Sequence, residues 1–183
     1  MDGRRPGHDG RLGPHRGRAA AATHRAGRVK ALLIRVGRGK VKWADQAVAE
    51  YVKRLRVGQL PLEEVRLPTT RFRGEVEAVR ADEAQRILAL VKPRDRLIAV
   101  DERGDAPSTE QLARWIEDSA KVGTPRMVFA IGGPYGHGPA VRDQAWRCLA
   151  LSSMVTNHEL ARVFMAEQLY RASTVIWGGK YHH

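Results

Sequence analysis

Side chains on a β-strand point alternately to its two faces, so a strand that is apolar at every position must be covered on both sides. The stretch Arg126–Ile131, RMVFAI, is of this kind: after the leading Arg come five consecutive apolar residues. It predicts a central strand of a parallel sheet with helices above and below. Gly132-Gly133-Pro134-Tyr135-Gly136-His137-Gly138 follows at once. Glycine takes positive φ at little steric cost and lets a ligand approach the main chain closely, so this exit suits either a tight turn or a binding loop.

The remaining chain alternates in the same way. Arg28–Val36 (RVKALLIRV) reads as a strand, and residues 43–57 place Trp43, Ala47, Val48, Tyr51, Val52 and Leu55 at helical spacing. Leu62–Leu67 is a second strand candidate, and Glu75–Lys92 is predicted helical and stopped by Pro93. Arg96–Val100 is a strand with Asp101-Glu102-Arg103-Gly104 as its exit turn. Ser108-Thr109-Glu110-Gln111 is a capping-box pattern opening a helix to about Gly123. Beyond the glycine turn we expect a helix over Pro139–Leu149, a short strand over Ala150–Val155, a helix over Asn157–Ala172 and a last strand over Thr174–Trp177. The predicted fold is therefore α/β, a mostly parallel sheet flanked by helices. Ligands of such sheets sit at the carboxyl ends of the strands. Three exits, Val100–Gly104, Ile131–Gly138 and Val155–His158, are predicted to converge on one ligand.

Composition narrows the partners. Of 183 residues, 32 are Lys or Arg and 20 are Asp or Glu, a formal charge of +12, which suggests a polyanion such as nucleic acid or an acidic membrane surface, with nucleic acid favoured over an inert basic surface. Residues 1–28 carry seven Arg and two Asp, a net +5, and lack any apolar period. We expect them to be a disordered add-on to a domain spanning 29–183. Initiation near Val29 is favoured over an RNA-binding arm or a transit peptide. Cys148 is the one cysteine, so no disulfide forms within the chain and it reads as a small buried hydrophobe. No membrane span or signal-peptide core is visible, and the expected location is cytoplasmic.

Several chemistries are excluded by spacing. The glycine turn is neither G-x-G-x-x-G nor a P-loop, and His158-Glu159 is followed by Arg162 where H-E-x-x-H needs a second His. No metal site is expected. Glu167 and Arg171 form an i, i+4 ion pair of the favourable order, which reads as helix support.

Three motifs in order, IGGPYG (131–136), LSSMVTNHELARVFMAEQLYRA (151–172) and GKYHH (179–183), resemble the RlmH-type methyltransferases of the SPOUT class. VKALLIRVGRGK and WADQAVAEYVKRL resemble the family's opening strand and first helix, so the likeness runs from about Val29 to His183. The resemblance implies a C-terminal trefoil knot, a homodimer, and methyl transfer from S-adenosyl-L-methionine to N3 of a pseudouridine in 23S ribosomal RNA. It also implies cofactor contacts at Val100, Gly132, Leu151, Ser152, Ser153, Met154, Val155 and Thr156. The chain departs from the family pattern at Tyr135, at Asn157 and Lys180 where proline is usual, and at His183 where Arg or Lys is usual.

A sulfonium is already a strong methyl donor, so such an enzyme must mainly align an in-line attack and handle the N3 proton. His158 and His182 are the candidates for the proton. Arg162, one turn into its helix, is the candidate for stabilising the charge left on the imide. Tyr181 is placed to stack on a base, delivered with His182 by the turn Gly178–Gly179. Arg38, Lys40, Lys42, Arg71 and Arg73 are candidate phosphate contacts. The alternatives are a non-catalytic RNA-binding protein on the same fold and a nucleotide-binding oxidoreductase, the latter disfavoured by the missing fingerprint.

Overall fold

The computed structural model describes residues 27–37, 40–179 and 181. Arg38, His182, His183, Lys180 and the first 26 residues lie outside them, and with them the expectations placed there. Five strands, β1 (Lys30–Val36), β2 (Leu62–Leu67), β3 (Arg96–Asp105), β4 (Arg126–Ile131) and β5 (Arg147–Leu149), form one sheet in the order β2-β1-β4-β3-β5. Every pairing is parallel. Five helices alternate with them: α1 (Lys42–Arg56), α2 (Val76–Leu88), α3 (Thr109–Lys121), α4 (Pro139–Gln144) and α5 (His158–Trp177).

The apolar runs explain the layering. Successive residues of β1 and β4 feed two separate cores. Ala31, Leu33, Met127, Phe129 and Ile131 pack with α1, α3 and α5, while Leu32, Ile34, Val128 and Ala130 pack with α2 and α4. The central strands are covered on both faces, as the uninterrupted apolar sequence of β4 requires. Phe129, Leu33, Ile34 and Ile98 are fully buried. Each such side chain contributes about 1.5–3 kcal/mol by leaving water. Ser108 caps α3 as predicted: its hydroxyl accepts from the Gln111 N–H, and the Gln111 side chain accepts from the Ser108 N–H at 2.8 Å.

Five expectations about element boundaries are corrected. The strand expected to end at Val100 runs on to Asp105, so Asp101-Glu102-Arg103-Gly104 is not an exit turn but an irregular stretch of β3, across which the register with β5 shifts before Asp105 pairs with Leu149. The helix expected over Pro139–Leu149 ends at Gln144, and Arg147–Leu149 instead pairs with Ile98–Val100 as β5. An apolar run of that length is compatible with either state, and the open edge of β3 decides it. The strand expected over Ala150–Val155 is a loop, because the Ser152 hydroxyl takes up the Met154 N–H at 2.9 Å in a local turn that competes with sheet pairing. Thr174–Trp177 is the last turn of α5 rather than a strand. There Val175, Ile176 and Trp177 pack on the core beside α1 and α3, and that packing overrides their β-propensity. The second helix stops at Leu88, four residues short of the expected end, in tightened i→i+3 turns at Leu90 and Val91 ahead of Pro93.

Candidate active site

The carboxyl ends of β3 and β4 and the loop leading to α5 meet around a cavity of about 390 Å³. Its size suits a small-molecule ligand. On one side lies the glycine turn. Gly136 has φ 72° and its N–H bonds the Gly133 carbonyl at 2.9 Å, which folds the turn back on itself. A Cβ on Gly132 would lie 2.9 Å from the Gly136 carbonyl carbon, so the turn closes only around a residue without a side chain there. Behind the turn Arg80 of α2 donates through Nε to the Tyr135 carbonyl at 2.9 Å.

The last half of β3, beyond Val100, supplies charge to the cavity. Asp101 is buried and accepts from the backbone N–H of Arg103 at 3.0 Å and from its Nε at 3.1 Å. Burial pushes its carboxyl up, but the two Arg103 bonds and the nearby cations outweigh that and hold it below the usual carboxylate range. His137, from the glycine turn, is also buried. Its Nε2–H donates to the Ala130 carbonyl at 2.9 Å, while Nδ1 has no hydrogen-bond partner. Burial pushes the imidazole pKa down, so it sits neutral beside the cavity.

The third wall is the loop before α5. Asn157 caps the helix, its Oδ1 accepting from the N–H groups of Glu159 and Leu160, both at 3.0 Å. His158 then faces the cavity, with Nε2 3.3 Å from Glu159 Oε1. The exposed side chains of Met154 and Val155 form an apolar rim.

The structure brings most of the sequence-predicted residues together. Val100, Gly132, Leu151, Ser152, Met154, Val155, Thr156 and His158 all line the cavity, and Ser153 does not. Arg162 lies behind the wall rather than in it. It is fully buried, and its guanidinium donates to Glu159 Oε2 at 2.6 Å, to Glu64 Oε1 at 3.0 Å and to Asp45 Oδ1 at 2.5 Å. Arg35, the penultimate residue of β1, meets the same three carboxylates, Glu159 at 3.4 Å, Glu64 at 3.4 Å and Asp45 at 3.7 Å. Two cations and three carboxylates thus lock the first turn of α5 to β1, β2 and α1.

Tyr181 turns back on its own helix instead of reaching the cavity. Its ring lies 4.8 Å from that of Tyr170, and its carbonyl accepts from Arg171 at 3.4 Å. Tyr170 is twelve residues along α5 from His158, roughly 18 Å at 1.5 Å per residue.

Sequence reasoning passed over Asp101, Arg103 and His137 as individual site residues, although two of the exits it named contain them. It also missed the Arg35–Asp45–Glu64–Glu159 cluster. One signal was present: Arg35 is a charge inside an otherwise apolar strand, and a buried guanidinium demands acidic partners.

The sequence profile of the family described as predicted SPOUT methyltransferase matches residues 29–182. The chain belongs to the SPOUT methyltransferases. A protein of Geotalea daltonii named ribosomal RNA large subunit methyltransferase H is 38% identical over 152 residues, covering 82% of this chain and 97% of that protein. A protein of the same name from Porphyromonas gingivalis strain W83 is 35% identical over 157 residues, covering 85% and 99%. Among the described residues no cluster of His, Cys, Asp and Glu is placed to hold a metal ion, and no helix is long and apolar enough to cross a membrane. This SPOUT methyltransferase therefore carries its cavity where the parallel sheet predicts it, at the ends of β3 and β4.

Proposed function

We propose that this methyltransferase transfers a methyl group from S-adenosyl-L-methionine to N3 of a pseudouridine in the 23S RNA of the large ribosomal subunit, in the cytoplasm and as a homodimer. The observation that carries the reading is the convergence of three separate segments on one cavity: β3 from Val100 to Arg103, the glycine turn after β4 and the loop before α5. The names of relatives that match almost end to end support the ribosomal substrate.

The residues present fit the cofactor. Main-chain groups of the turn beginning at Gly132 suit a nucleoside approaching the backbone, a fit that a Cβ at Gly132 would spoil. Leu151, Met154 and Val155 offer apolar contact for an adenine. The ionised Asp101 places negative charge on the side where a cationic sulfonium or amino group would lie. Val100, Ser152 and Thr156 complete the wall, with Ser153 at its margin. When bound, S-adenosyl-L-methionine supplies the activated methyl group.

The chain's own part is to orient the base, exclude water and take the N3 proton. His158, at the cavity wall, is our candidate for that proton together with His182 from the C-terminal tail. Arg162 serves the site by fixing the turn that presents His158. Tyr181 packs on Tyr170, roughly 18 Å along α5 from His158 of the same chain, which supports a dimer in which the C-terminal residues of each chain serve the other cavity. The trefoil threading of residues C-terminal to β4 is part of the same family-based reading. The basic N-terminal segment 1–28 is read as an addition to the catalytic domain.

Primer extension on ribosomal RNA tests the proposal, since methylation at N3 blocks Watson–Crick pairing and stops reverse transcriptase. The stop should vanish on gene deletion and return on complementation. A stop that persists after deletion would overturn the substrate assignment.

A further inference from the structure

The free edge of the sheet carries a group of side chains that the catalytic reading does not use. Trp146 precedes β5 and is pinned to β3, its backbone N–H donating to the Leu97 carbonyl at 2.7 Å. Its indole is 37% exposed and stands 6.2 Å from that of Trp115 on α3, edge to face. The guanidinium carbon of Arg147 lies 4.7 Å from the centroids of both indoles, and that of Arg96 lies 4.3 Å from Trp146.

Several arginines elsewhere are matched to acids, among them Arg54 to Glu50, Arg86 to Asp82, Arg126 to Asp95 and Arg171 to Glu167. The two here are not. Among the described residues, Arg147 has ring contacts alone, and Arg96 adds one neutral bond, to the Ser119 hydroxyl at 2.9 Å. Stacking holds a guanidinium by its face. It restrains the side chain without cancelling its charge, and the N–H donors in the plane stay available for a planar or tetrahedral anion. The ordering entropy that a mobile surface arginine would lose on binding is already spent.

We propose that the Arg96–Trp146–Arg147–Trp115 stack is a docking surface for the phosphate backbone of the RNA substrate, separate from the methyl-transfer cavity. The inference rests on the ribosomal-RNA reading above. The geometry suits a long polyanion. Arg147 pairs in register with Ile98 and Arg96 begins β3, so the cations sit roughly 7 and 13 Å down the sheet from Val100 at the cavity wall, at 3.3 Å per residue. A strand whose target base is in the cavity has backbone to place along this edge. An acidic peptide would satisfy the same charges, but the overall +12 favours the longer polyanion.

The test is binding to purified large ribosomal subunits as a function of salt, with Arg147→Gln and the double variant Arg96→Gln/Arg147→Gln against wild type. Each lost phosphate contact should flatten the slope of log K against log salt by roughly 0.7–0.9, so the double variant should lose about 1.5. Its KM for subunits should rise about tenfold near physiological salt, while kcat at saturation and affinity for S-adenosylhomocysteine stay unchanged. Arg147→Lys, which keeps the charge, should keep most of the slope. A double variant with wild-type slope and KM would overturn the surface alone. So would a fall in kcat and cofactor affinity parallel to the rise in KM, which would mark the stack as structural support. A wild type that does not bind subunits would overturn both the surface and the ribosomal substrate.

Discussion

His158 and Arg162 stand one helical turn apart on α5 and face opposite kinds of environment. His158 borders an open cavity whose walls are main chain, small polar groups and an apolar rim. Arg162 is sealed among Asp45, Glu64, Glu159 and Arg35, with its charge spent on neighbours. The contrast separates two jobs that sequence inspection assigns to one helix start. A buried guanidinium with three carboxylate partners fixes geometry, whereas a half-buried imidazole bordering the cavity can meet a substrate. Glu159 links the two, touching Arg162 on one side and His158 on the other.

If that division holds, the largest effect should come from Arg162→Ala. It leaves buried carboxylates without their partner, and thermal or denaturant unfolding should show a loss of about 3–5 kcal/mol. A variant of near-normal stability would show that the cluster is not the anchor described here. Arg162→Lys should recover only part of the loss, because an ammonium does not reproduce a fork engaged with three acids.

On the cavity side, Gly132→Ala should do the reverse. Its Cβ meets the Gly136 backbone, so calorimetry should find affinity for S-adenosylhomocysteine reduced at least about tenfold while stability falls less than in Arg162→Ala. Equal binding by the variant would remove the glycine turn from the site.

His137 gives a pH signature. Its folded-state pKa is depressed by burial, so below the unfolded value of about 6.5 the unfolded chain takes up a proton that the folded one refuses. The associated stability is therefore present above pH 6.5 and is lost as pH falls below it. Denaturant titrations between pH 7 and 5 should show this decline in the wild type and a flatter curve in His137→Leu. Parallel curves would mean that the imidazole is protonated in the fold.

The smallest effect concerns neither region. Ser108→Ala removes the cap of α3 and should cost about 1 kcal/mol with cofactor affinity unchanged. A larger change in binding than in stability would tie α3 to the site.

The strands and the site were legible in the sequence to different depths. Parallel strands buried on both faces announce themselves as continuous apolar runs: β1 and β4 appear where RVKALLIRV and RMVFAI place them, and β3 starts at RLIAV but continues to Asp105 through polar residues that no apolar run announces. Short segments near the C-terminus were not legible. A run such as AWRCLAL has no period to distinguish helix from strand, and the open edge of β3 selected the outcome. TVIW has strand propensity but finishes α5 because that places its apolar groups on the core. The segments around the cavity followed from one topological rule, that ligands sit at strand ends, while the individual cofactor residues were implied by the family resemblance. The ion cluster had no such rule: Arg162 and Glu64 are 98 residues apart, and Arg35 and Glu159 are 124 apart. Nothing short-range joins them, and only the misplaced charge at Arg35 hinted at their meeting.

The central claim is that the exits of β3 and β4 and the loop before α5 together hold the cofactor. Amide hydrogen exchange with and without S-adenosylhomocysteine measures it most directly. The account predicts added protection in three separate segments, 100–104, 132–138 and 151–158, with α1 and β2 unchanged. Protection confined to a second cavity, lined by Thr109 of α3 and by Phe164 and Gln168 of α5, or none at all under saturating ligand, would contradict it.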